Sequence, residues 1–274
     1  YNINIMSKKN TTNTINTKST ILSIFKKRFP PSKYKVWYTE YKHEAPIYIS
    51  IATLHDTSEP CIQLFINNKM MDIGEITRCV FNDTNNISNS SKGLGNTIVK
   101  NLIKIGSELN LKQLELVDGS TIINPYKSEC NINLSIYKIL IEGQSWYNKH
   151  GFKSINHETE KAQWETIRND NFFSVFLKYK DNNIKKKIKL IETRTDIIHI
   201  LDTYSKLQDS IFIFLDDYSI KCTTKVRDVF KILEKERLLL EGKKNIKEFY
   251  LILSDLVNLF NENIKYSIKL IHKL

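Results

Sequence analysis

The sequence predicts an α+β fold: a mixed, mostly antiparallel sheet flanked by helices over residues 19–180, then an all-α domain over 185–274. Three observations carry this prediction. Short apolar runs separated by tight turns crowd the stretch from Tyr34 to Phe81. Gly93 and Gly95 then open a segment whose apolar residues recur at three and four positions. Beyond Lys180 the composition changes, and apolar residues fall at helical spacing.

Taken in order, residues 1–18 are polar, rich in Asn and Thr, and predict a disordered tail without the apolar stretch of a signal peptide. Ser19 caps a helix through Phe29 that lines up Ile21, Leu22 and Phe25, and Pro30-Pro31 ends it. Tyr34–Tyr41, Ile47–Leu54, Cys61–Ile66 and Met70–Phe81 read as strands. Pro60 and Asn67-Asn68 mark turns, and the short connections predict an antiparallel meander. Residues 82–92 form a polar loop. The helix behind it presents Ile98, Leu102, Ile105 and Leu109. Leu114–Val117 reads as a short buried strand and Asp118–Asn131 as a loop. Ile132–Lys149 reads as a helix closed by Gly151-Phe152, and Phe172–Tyr179 as a final strand. Asn182, Asn183 and Lys185–Lys187 read as a linker. Two further helices follow, one carrying Val226, Val229, Phe230 and Leu233, the other Phe249, Tyr250, Leu253, Val257 and Phe260. Gly242 between them predicts a helical hairpin.

Composition narrows the functional classes. Apolar residues make up 41% of the 274, enough for a core. The apolar runs fall far short of the ~20 residues a membrane span needs, so no membrane association is expected. The net charge of +11 is uneven. Residues 1–43 hold nine Lys and Arg against one acid, whereas residues 44–180 hold fourteen against fifteen. A basic arm of this kind binds nucleic acid or an acidic partner by counterion release, or simply keeps the chain in solution. Cys61, Cys79, Cys130 and Cys222 are widely spread, and so are the histidines. Neither a metal site nor a disulfide framework is expected, and a reducing, cytoplasmic setting fits. The abundance of Ile, Lys and Asn resembles the composition of large cytoplasmic DNA virus proteins, which implies the host cytoplasm.

The informative feature is an ordered set: strand, polar loop, Gly93-x-Gly95, helix, strand, helix, Tyr147-x-x-x-Gly151-Phe152. This order resembles the GNAT superfamily of acetyl-CoA-dependent N-acetyltransferases. The resemblance implies that Lys92, Gly93, Leu94, Gly95, Asn96 and Thr97 cradle the pyrophosphate of acetyl-CoA. The first turn of a helix has unsatisfied N–H donors and a partial positive charge, and glycine lets the backbone approach closely. It also implies Tyr147 as the acid that protonates the departing thiolate. Glu75, on the strand before the loop, becomes the base that deprotonates a primary amine acceptor. Asp118 falls at the end of the next strand, where the resemblance puts substrate entry. Two positions depart from the family pattern. Ser90 stands where Gln or Arg is usual, and Leu140 where an Asn is usual.

Plain readings stand beside each assignment. Gly93-x-Gly95 is also a flexible turn, Tyr147 and Phe152 are also core residues beside a helix cap, and Glu75 is also a solvated carboxylate. The functional alternatives are an acyltransferase, a fold-retaining binding or scaffold protein that docks a protein partner through its helical domain, and a nucleic-acid-associated protein using residues 1–43.

Overall fold

The structure, a computed structural model, describes residues 18–40, 47–54, 59–67, 69–76, 94–122, 131–191, 194–221, 223–240 and 246–274. The chain divides into two compact units. One comprises residues 1–116 with 272–274, and the other residues 117–271.

The first unit opens with helix α1 (Lys18–Arg28), then strands β1 (Tyr34–Glu40), β2 (Ile47–Thr53), β3 (Ile62–Asn67) and β4 (Met70–Ile76). Helix α2 (Leu94–Glu108) and strand β5 (Gln113–Val117) follow. With β8 (Lys269–Lys273), these strands form a six-stranded sheet in the order β1-β2-β3-β4-β5-β8. The first four make the expected antiparallel meander. Tyr34 pairs with Thr53 and Ile47 with Ile66, and the β3–β4 register shifts between Gln63 and Leu64. β4 and β5 run parallel, so the chain between them crosses over through α2.

Alternation explains the buried face of β3: Ile62, Leu64 and Ile66 point inward while Phe65 and Asn67 are exposed. Helix α2 buries Ile98, Val99, Leu102 and Ile105, the stripe its sequence predicts. A Cβ on Gly106 would come within 2.6 Å of a Leu114 methyl and 2.8 Å of a Leu274 methyl, so a side chain there requires those two leucines to shift. Arg28 of α1 pairs with Glu108 of α2, and Asn101 donates to the Arg28 carbonyl at 3.2 Å.

The second unit is mainly helical but opens with a short antiparallel ladder, β6 (Thr121–Ile122) with β7 (Ile132–Asn133). Helix α3 (Leu134–Glu142) and a 3-10 turn (Asn148–His150) lead to α4 (His157–Asn169), α5 (Phe172–Ile188), α6 (Arg194–Asp217), α7 (Val226–Leu240) and α8 (Ile246–Asn261). Its core is aromatic. Trp164, Tyr137, Phe172, Phe176, Phe230 and Phe260 are fully buried. Phe172 stacks on Phe176 at 6.0 Å, and Phe230 meets Phe260 edge-on at 5.3 Å.

Several expectations are corrected. Phe172–Tyr179 is helix, not strand. Phe172, Val175, Phe176 and Tyr179 are the buried residues of the segment, a helical stripe, and the Asn171 side chain caps the helix by accepting from the Ser174 amide at 2.9 Å. The proposed linker lies inside this same helix, with Asn183 buried. The two compact units meet in the chain at Leu116/Val117. The helix expected over Ile132–Lys149 stops at Gly143, whose φ of +81° ends it in the left-handed region. No disulfide framework was expected, but Cys61 is disulfide-bonded. The tail before Lys18, the loop of residues 82–92 and the other three cysteines lie outside the described residues.

Candidate functional site

Lys92 and Gly93 lie outside the described residues; Leu94, Gly95, Asn96 and Thr97 form the first turn of α2. Leu94 and Gly95 are half-buried, while Asn96 and Thr97 are exposed. The first turn holds no acidic residue. Its amides and the positive end of the helix dipole are therefore not neutralised by a carboxylate of that turn. α2 runs to Glu108, long enough for its aligned peptide dipoles to add. Glu75 is exposed on β4, opposite Gln63 of β3.

The second unit builds a polar cluster around Tyr147 and Asp118. Tyr147 is 8% exposed and starts the 3-10 turn. Its ring packs edge-on against Trp146 at 4.7 Å and Phe152 at 6.1 Å. The turn is held by Asn148. Its Oδ1 accepts from the Ser145 amide at 2.9 Å and its Nδ2 donates to the Phe152 carbonyl at 2.8 Å, while Gly151 turns the chain with φ +83°. The Tyr147-x-x-x-Gly151-Phe152 spacing is thus a closed loop rather than the end of a long helix.

Asp118 is 3% exposed. Ser120 donates twice to its Oδ1, from the hydroxyl at 2.5 Å and the amide at 3.2 Å. Ser135 donates to Oδ2 at 2.6 Å, and the Tyr266 phenol donates to the same oxygen. A carboxylate offers about four lone-pair sites, and these four donors fill them. Burial pushes the Tyr147 phenol well above its ordinary value of 10.0, and the charge of Asp118 raises it further. The Tyr266 phenol is raised by the same two causes. Both therefore stay protonated at neutral pH, as hydrogen-bond donors. A higher phenol pKa also widens the gap to a departing thiol near ~8.5, so the proton is less readily given than by an ordinary phenol.

Tyr147 and Asp118 thus belong to one cluster in the second unit, whereas Glu75 and the α2 turn belong to the first. Sequence reading missed Ser120, Ser135, Ser145 and Tyr266. Asp118-Gly119-Ser120 carries a turn signal that foretells the Ser120 contact. Tyr266 arrives from the far end of the second unit and leaves no local trace. Among the described residues, no group of three or more His, Cys, Asp or Glu is placed to hold a metal ion, and no helix is long and apolar enough to cross a membrane.

No family model matches the sequence, and neither a curated protein nor a solved structure matches it.

Proposed function

We propose that the chain is an acetyl-CoA-binding protein of N-acetyltransferase type, transferring an acyl group to a primary amine. The observation that carries this reading is the parallel β4–α2–β5 crossover attached to an antiparallel meander, with a glycine in an acid-free first turn of α2. A crossover of this kind directs the amides of the helix start toward the space beyond the strand ends, where a diphosphate gains from the helix dipole. Lys92, Gly93, Leu94, Gly95, Asn96 and Thr97 form the cradle in this reading, Tyr147 is the acid and Glu75 the base.

A second reading is favoured by the state of the polar cluster. Tyr147 is buried with a raised pKa, and Asp118 is saturated by hydroxyl donors. Both features suit a protein that keeps the fold as a binding or scaffold module without acyl transfer. Titration calorimetry with acetyl-CoA tests the two together. Saturable binding supports both, and its absence rejects both. Acetyl transfer to a panel of primary amines then separates them. Transfer undiminished by Tyr147→Phe rejects the acid role.

A further inference from the structure

We propose that the outer edge of β1 is a self-association surface. A second copy of this chain adds its own β1 there, antiparallel, and joins the two six-stranded sheets across a two-fold axis at Val36. β1 is a border of its sheet and, among the described residues, pairs only with β2. The ladder shows which of its backbone groups face outward. Leu54 donates to the Lys33 carbonyl at 3.1 Å, and these two residues continue the Tyr34–Thr53 register by one step. Along one antiparallel strand, residues bonded to the neighbour alternate with residues whose groups point away from it. Lys35, Trp37 and Thr39 are therefore bonded to β2, and the N–H and C=O of Val36 point to the outer side. The Tyr34 amide agrees with this assignment, because it donates to the Pro30 carbonyl at 3.0 Å and not to β2. Val36 thus offers one donor and one acceptor at the border, without a partner among the described residues.

The two borders of the sheet are treated differently. β8, at the opposite border, carries Lys269 and Lys273 at its ends. Its Ile271 exchanges both backbone bonds with Lys153, at 2.8 and 2.9 Å. Lysines and a covering segment are common means of blocking an edge. β1 has no proline, and its seven pairs with β2 run without a register shift, so no bulge twists it away. From Tyr34 to Thr39 its one charge is Lys35, whose ammonium lies over the Trp37 ring at 4.9 Å. The other residues of that stretch are Tyr, Val, Trp and Thr, the types that favour a pleated strand.

The side chains select a second copy as the occupant. Outward-facing residues must oppose outward-facing ones, and a two-fold axis at Val36 meets this condition by setting Val36 against the partner's Val36. The donor and acceptor of each then satisfy the other reciprocally. The same register sets Lys35 against the partner's Trp37, and symmetry repeats that pairing on the other side of the axis. Each ammonium gains an indole face, and no like charges are opposed. Moving the axis to Trp37 sets Lys35 against the partner's Thr39 and loses both pairings. The strand of an unrelated chain would meet the same backbone groups without this doubled match. Each chain spends its β1 edge once, so the assembly closes as a dimer instead of growing into a fibre.

The test is sedimentation equilibrium of the full chain from about 1 μM to about 1 mM, with hydrogen exchange read at the Val36 amide. A reversible monomer–dimer equilibrium is expected, with Val36 exchange slowing as the dimer fills. Val36→Pro removes the outward N–H and puts a ring in its place without touching a β1–β2 bond. It is expected to stay monomeric with the circular dichroism spectrum of the parent. Trp37→Lys sets ammonium against ammonium on both sides of the axis and is expected to weaken dimerisation at least about tenfold. That variant and the exchange of the parent keep the test decisive should Val36→Pro fail to fold. A monomer at every concentration overturns the proposal. So does a dimer that both variants leave unaltered, or Val36 exchange that does not change with concentration.

Discussion

Two residues show how tightly single positions are specified in the second unit. Gly143 ends α3 with positive φ, and a Cβ there would lie 2.5 Å from Glu165 Oε1 and 2.6 Å from Arg168 Nη1. Arg168 itself caps α3, donating to the Leu140 carbonyl at 3.2 Å and the Ile141 carbonyl at 3.0 Å. Gly143→Ala is therefore expected to cost at least ~1–2 kcal/mol from backbone strain alone. The collision with Arg168 adds to that, and a lowered urea midpoint would show it. Asp118→Asn replaces an acceptor-only carboxylate by an amide that also donates, facing three hydroxyls. It is expected to destabilise by roughly 1–3 kcal/mol and to bring the Tyr147 phenol down, because the Asp118 charge that raises it is gone. A tyrosine-resolved NMR pH titration checks the second point, with Tyr147 of the variant ionising at lower pH than in the parent. An unmoved Tyr147 would mean that burial alone sets its pKa.

At the scale of elements, legibility followed locality. The β1–β4 meander and α2 were readable because alternation and the helical stripe both report on neighbouring residues. Phe172–Tyr179 was misread because a run of aromatics is ambiguous between a buried strand and a buried helix. The deciding signal was the cap. Asn171 precedes the run and accepts from Ser174 N, so Asn171→Ala is expected to cost ~1 kcal/mol, measurable by thermal melting. The stop at Gly143 was passed over because the apolar spacing was carried on to Tyr147, although a glycine with φ +81° is the local cap that ends α3, with Arg168 bonding its last carbonyls. In the candidate site, the α2 start and Tyr147 were legible as spacing. The donors to Asp118 were not, because Ser135 and Tyr266 come from distant segments. The α2 start carries its own prediction. Gly95→Asp places a carboxylate in the first turn, which favours the helix dipole but repels a diphosphate. The variant is expected to fold at least as stably as the parent and to bind acetyl-CoA about tenfold more weakly by calorimetry. Retained affinity would remove the cradle from consideration.

For the molecule as a whole, buried phenols set the alkaline limit. Tyr137, Tyr147 and Tyr266 are all raised from 10.0, first by burial and then by a neighbouring carboxylate, Glu234 for Tyr137 and Asp118 for the other two. Tyr179 is raised to about 12, again first by burial. A phenol whose folded pKa exceeds its unfolded one contributes stability that is complete below the unfolded value and declines as pH rises beyond it. Stability is therefore expected to fall progressively above pH 10. These four phenols should ionise together with unfolding rather than before it, a coincidence that parallel phenolate absorbance and circular dichroism measurements would reveal.

Strand β8 belongs to a sheet whose other strands all precede the helical unit in the chain. During synthesis on a ribosome, β5 waits with one border unoccupied until every helix between them has emerged. An open border of this kind invites pairing with another nascent chain. Translation speed through the helical stretch thus bears directly on how much of the product escapes aggregation.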